Sequence, residues 1–148
     1  MDTREARLER GRARRRELWG PEPPLDPSDP AYELQELMTE VLFGEVWSRP
    51  GLDVRSREIA TLAALTVLGR EPQLRSHIQA ALNIGLTRQE ITEILMQMAF
   101  YGGLPAALNA LRVARRSSPS GAFRPSGSRK SGRPHPARTG ARVWARLG

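Results

Sequence analysis

Residues 54–68 read VRSREIATLAALTVL, and this stretch decides the fold class. Ile59, Leu62, Ala63, Leu65 and Val67 fall on every side of a 3.6-residue turn, which predicts a helix with almost no polar face. Asp53 stands where an N-cap is needed and Gly69 where a helix stops. A helix apolar all round must be covered on all sides. A domain of this size buries only about 60% of the surface of its unfolded chain. The economical cover is a second copy, so the sequence predicts a homo-oligomer.

The pattern stays helical in both directions from that segment. Downstream, Pro72 suits the first turn of a helix running to Ile84 and stopping at Gly85. Thr87 and Glu90 form a capping box that opens a helix over 88–100. Tyr101-Gly102-Gly103 breaks it, and Pro105 opens a last helix to about Arg116. Upstream, Leu34, Leu37, Met38, Val41 and Leu42 mark one face of a helix over Tyr32–Trp47, broken at 48–51. No alternating, β-rich run competes. The expectation is an all-α bundle of five to six helices over residues 31–116. An N-terminal arm and Pro-rich linker over 1–30 precede it, and an Arg/Ser/Pro/Gly tail over 117–148, too polar to fold, follows.

Composition narrows the chemistry. The 148 residues contain no cysteine and two histidines, which excludes disulfides, thiol catalysis and a histidine-rich metal site. No apolar run is long enough to cross a bilayer, and the charged N-terminus lacks the core of a signal peptide, so the expectation is a soluble, cytoplasmic protein. The net charge of +7 is uneven: residues 1–20 carry +3, residues 21–116 carry −3 and residues 117–148 carry +7. The acidic middle argues against specific nucleic-acid binding by the folded block, although the tail would attract polyanions without specificity.

His77 is the one histidine of the helical block and shares a face with Leu74, Ile78 and Ala81. Such a histidine is either a packed, hydrogen-bonded side chain or a proton donor working near neutral pH. Glu58, in the first turn of the apolar helix, is either a charge favourable to the helix N-terminus or a carboxylate that orients or relays a proton to His77. A simple antiparallel hairpin leaves the two about 7.5 Å apart along the axis. Direct contact then needs a tilt, a water or a neighbouring subunit. Arg49, Arg55, Arg57 and Arg75 are candidates to clamp a carboxylate, while Trp47 and Tyr101, bordering Gly-containing breaks, are candidates to wall a pocket.

Several separated motifs occur in order: FGEVWSRPGLD (43–53), RSREIATLAAL (55–65), LGREPQLRSH (68–77), ALNIGLT (81–87) and QMAFYGGLPAALNA (97–110). Together they resemble the carboxymuconolactone decarboxylase family, within the alkylhydroperoxidase D-like superfamily. GRARRRELWG (11–20) is similar to the segment leading into that family's domain. The resemblance implies an all-helical homo-oligomer, a trimer or hexamer. It implies decarboxylation of 4-carboxymuconolactone to the β-ketoadipate enol-lactone of protocatechuate catabolism, with no cofactor and no metal. The superfamily's Glu and His fall on Glu58 and His77, and its two cysteine positions fall on Arg70 and Gln73, which removes thiol redox chemistry. Arg49, Arg57, Trp47 and Tyr101 are the residues expected to bind the lactone carboxylate. Two alternatives stand beside this reading. One is a relative acting on another lactone or enol. The other is a non-catalytic oligomeric domain whose basic tail binds polyanions. Deleting residues 117–148 separates them, because only the last would lose its function.

Overall fold

The computed structural model describes residues 2–117, and among them every regular element is helical. The expected disordered tail lies outside these residues from 118 onward. Helix α1 spans Arg4–Trp19, α2 Tyr32–Leu37, α3 Val54–Val67, α4 Glu71–Asn83, α5 Arg88–Gln97, α6 Ala99–Gly102 and α7 Leu104–Arg116. Between α2 and α3, residues Met38–Val46 continue α2 as a π-helix, seen in the bond from the Trp47 amide to the Leu42 carbonyl five residues back. No helix of the described residues is long and apolar enough to cross a membrane.

The punctuation behaves as its chemistry requires. The Asp53 side chain accepts from the Ser56 amide to start α3. Thr87 and Glu90 exchange both capping-box bonds at the start of α5. Gly69, Gly85 and Gly103 take positive φ where three helices end. The predicted helix over 88–100 ends at Gln97, and a short turn of helix follows to Gly102. Leu62, Leu74, Ile78, Ile91, Leu95 and Val113 from α3, α4, α5 and α7, with Leu86 from the α4–α5 connection, form the main core. A smaller core of Leu18, Phe43, Trp47 and Ala80 joins α1 and the π-helix to α4.

Two features depart from the sequence pattern. Residues 4–19 are a helix packed along Met38–Val46, where the sequence pattern marks an N-terminal arm with no helix assigned to it. Their composition hides it: only Leu8, Gly11 and Leu18 are buried, so there is no continuous apolar stripe to read. The second departure is the face of 32–47. Leu34, Leu37, Met38, Val41 and Leu42 all point outward, while Thr39, Glu40, Phe43, Gly44 and Trp47 are buried. The inward residues recur four apart, a spacing that the wider π turn brings closer to alignment than a 3.6-residue turn does. Helix α3 is likewise covered along one stripe, Glu58, Leu62 and Thr66, with Val67 and Leu68 exposed.

Helix α1 is held by backbone proximity and by charge. A methyl group at Gly11 would stand 1.9 Å from the Thr39 carbonyl oxygen, and one at Gly44 would stand 2.2 Å from that of Arg7. Beside this crossing the buried Glu40 accepts from Arg7 Nη2 at 2.6 Å and from Arg4 Nε at 3.1 Å. The basic N-terminus is thus largely matched by the acidic segment that follows it, with Glu36 and Glu45 also paired to α1. The Arg7 hydrogen bond foremost holds the Glu40 carboxyl below the usual carboxylate range, against the desolvation that raises it. A depressed folded-state value adds stability that is complete above the unfolded-state value and is lost as pH falls through the folded one. We expect α1 to loosen on acidification below the ordinary glutamate range. Amide exchange of α1 should then rise, and Glu40→Gln should weaken docking at neutral pH while flattening this dependence.

Candidate active site

Glu58 and His77 meet directly within one chain. Oε1 of Glu58 lies 2.9 Å from Nδ1 of His77. The turn at Leu68–Arg70 sets α3 and α4 side by side, closed by the Arg70 amide on the Leu65 carbonyl. The two long side chains span the axial offset, so neither a water nor a second subunit is needed. Glu58 is fully buried and the His77 side chain is 16% exposed, so a carboxylate sits behind an imidazole that solvent can reach. With Glu58 ionised, Nδ1–H donates to it, the tautomer is fixed and Nε2 is the nitrogen left for chemistry. Oε2 of Glu58 is buried and has no hydrogen-bond partner among the described residues. A buried carboxylate oxygen without a partner is costly, which marks Glu58 as a group whose place in the fold calls for an explanation beyond packing.

Aromatic rings enclose the imidazole. Trp19 presents itself edge-on at 5.3 Å between centroids, and Trp47 lies at 6.4 Å. Phe43 touches both indoles, at 5.5 and 5.8 Å. The Trp19 indole N–H donates to the Ser76 carbonyl, and the Asn83 amide donates to the Leu18 carbonyl, fastening the end of α1 to α4. The arrangement can hold and deliver one proton from an imidazole flanked by aromatic rings and backed by a buried carboxylate.

The other expected residues divide. Trp47 is at the site. Arg57 adjoins Glu58 in sequence, but its Nε and Nη2 donate to the carbonyls of Leu52 and Arg49, pinning the turn before α3. The Arg49 side chain is exposed on that turn and makes no ion pair among the described residues. Arg55 pairs with Glu90 across to α5. Arg75 is exposed, two residues from His77, a spacing that does not share a helix face. Tyr101 is not brought to His77. It is 75% exposed on α6, whose Gly102 abuts Val67, nine residues and about 13.5 Å along α3 from Glu58. Trp19 and Phe43 are site residues that the sequence reasoning missed. The one available signal was Leu18-Trp19 closing a segment with a buried-face spacing at Leu8, Gly11 and Leu18.

The family model for carboxymuconolactone decarboxylase matches residues 32–116, more than half of the chain. The chain belongs to the carboxymuconolactone decarboxylase family. All the elements from α2 to α7 lie within the matched span, whereas α1, which brings Trp19 to His77, lies before it. Among curated relatives of this family, the chain is 42% identical over 82 residues to a 4-carboxymuconolactone decarboxylase of Acinetobacter baylyi, covering 55% of this chain and 61% of that one. It is 37% identical over 83 residues to a nitrosuccinic acid decarboxylase of Metarhizium robertsii, covering 56% and 58%. A 15.0 kDa protein of Paracoccus denitrificans is 45% identical over 80 residues, covering 53% and 60%. The chain thus matches about three-fifths of the length of these relatives.

Proposed function

We propose that the chain is a carboxy-lyase that converts 4-carboxymuconolactone to the β-ketoadipate enol-lactone, with His77 as proton donor and Glu58 as its orienting or relaying partner. The observation that carries this is the 2.9 Å contact between a buried carboxylate and a partly accessible imidazole walled by tryptophans. Family membership and the decarboxylase names of two relatives support it.

The chemistry asks little more of the protein. The departing carboxylate sits on a ring carbon beside a C=C conjugated with the lactone carbonyl. Breaking the C–CO2 bond sends its electron pair through the alkene to the lactone oxygen, giving an extended enolate. Protonation at the carbon next to that carbonyl completes the product. The substrate is its own electron sink, so the enzyme needs to bind the acetate arm, stabilise the developing oxyanion and supply one proton. Arg49 and the remaining donors of Arg57 are proposed for the arm, and Trp47 for the ring. Nitrosuccinic acid, the substrate in the name of one relative, carries its own sink in the nitro group, so a different carboxylate whose own acceptor group takes up the electron pair is the second reading.

We also propose a homo-oligomer, a trimer or hexamer, whose contacts cover the outward faces of α2 and the π-helix and of α6 and α7, where Phe100, Tyr101 and Leu104 are exposed. Tyr101 would reach a site only across such a contact. Light scattering at micromolar concentration should give a multiple of the chain mass, and a monomer mass would overturn this part. Purified protein should consume carboxymuconolactone in an ultraviolet assay and should keep its rate after exhaustive EDTA treatment. Inactivity toward the lactone, or activity restored only by a divalent metal, would refute the proposal.

A further inference from the structure

A cavity of about 460 Å³ opens between α1, the proline-rich segment and α2, and neither His77 nor Glu58 lines it. Arg12, Arg15 and Arg16 are among its polar lining residues, and Leu8, Pro23 and Leu25 among its apolar ones. Two of the arginines are committed. Arg15 pairs with Glu22 through Nε and Nη2 and lies over the Phe43 ring, and Arg16 pairs with Glu9. Of the acids on the wall, Glu22 is taken by Arg15, and Glu36 is taken by Arg4 and by the hydroxyl of Tyr32. Arg12 is left with no ion pair or hydrogen bond among the described residues. It lines the cavity opposite Tyr32 and Glu36 of the facing helix.

We propose that this cavity is a second ligand site that binds a compact organic carboxylate, with the Arg12 fork on the carboxylate and the proline–leucine wall on its ring or hydrocarbon body. The volume is ordinary for a small-molecule site, where apolar walls carry a few placed polar groups. A guanidinium matches a carboxylate in two parallel hydrogen bonds, which a single surface ammonium cannot do. Four of the wall's residues, Pro21, Pro23, Pro24 and Leu25, lie in a segment whose prolines restrict the backbone, so the wall is ordered before a ligand arrives. The proposal does not depend on the decarboxylase reading, because no part of it uses the Glu58–His77 pair.

The test is calorimetric titration of the full chain with benzoate, acetate and inorganic phosphate as probes. Saturable benzoate binding is expected in the unaltered protein and, at the same strength, in His77→Gln. Arg12→Gln, an exposed position whose fold circular dichroism can check, should weaken it by about tenfold or more. Leu25→Ser should weaken benzoate more than acetate. Absence of saturable heat up to about ten millimolar would overturn the proposal. So would equal affinity in Arg12→Gln, loss of binding in His77→Gln, or phosphate binding as tightly as benzoate.

Discussion

His77→Gln is expected to lower turnover by about 10²–10⁴-fold, the usual contribution of a positioned acid–base group, while the protein stays folded. Glutamine has a comparable reach and still hydrogen-bonds to Glu58, but it cannot exchange a proton near neutral pH. Glu58→Gln should also lower turnover, because Oε1 would lose the charge that fixes the imidazole tautomer across 2.9 Å. If the pair acts as one unit, the double variant should be little worse than His77→Gln alone, since effects within a unit are not additive. A packing role predicts the reverse, a lower melting temperature with turnover kept. Turnover and melting measured on one preparation decide between them, and near-normal turnover in folded His77→Gln would remove His77 from the mechanism.

Gly11→Ala should produce the largest structural effect of any single methyl group. The added carbon would stand 1.9 Å from the Thr39 carbonyl oxygen, which belongs to backbone and cannot rotate away. Overpacking of this kind costs about 3 kcal/mol. The cost should appear chiefly as separation of α1 from the π-helix, since the main core uses no residue of α1. Trp19 would then leave His77, and turnover should fall together with α1 protection from amide exchange. Gly51→Ala is the control: nothing lies within 4 Å of the added carbon, so its stability should change by less than about 0.5 kcal/mol. Equal melting temperatures for the two variants would show that the crossing is not tight.

What the sequence revealed follows from where its signals are local. Asp53, Gly69, Thr87, Glu90 and Gly103 act on neighbouring backbone groups, so α3, α4, α5 and α7 were readable to within a few residues. The π-helix was not, because its inward residues include Thr39, Glu40 and Gly44, which an apolar count passes over. Helix α1 escaped for a related reason: glycine and ion pairs hold it, and both depend on partners some thirty residues away. At the site, residue chemistry raised Glu58 and His77 as candidates and motif resemblance reinforced them, but helical arithmetic left their contact open because it counts axis positions and ignores side-chain reach. The roles of Arg57 and Trp19 rest on contacts to Leu52, Arg49 and Ser76, which no spacing rule connects.

The enclosure of His77 by two indoles gives the molecule an optical property. Its three tryptophans are Trp19, Trp47 and Trp144, and the first two flank the same imidazole. A charged imidazolium withdraws excitation energy from an adjacent indole far more effectively than a neutral ring does. Emission from Trp19 and Trp47 is therefore expected to respond to changes at His77 without an added dye. A ligand that excludes water from the imidazole, or a step that moves its proton, would register as a change in light output on the timescale of the event itself.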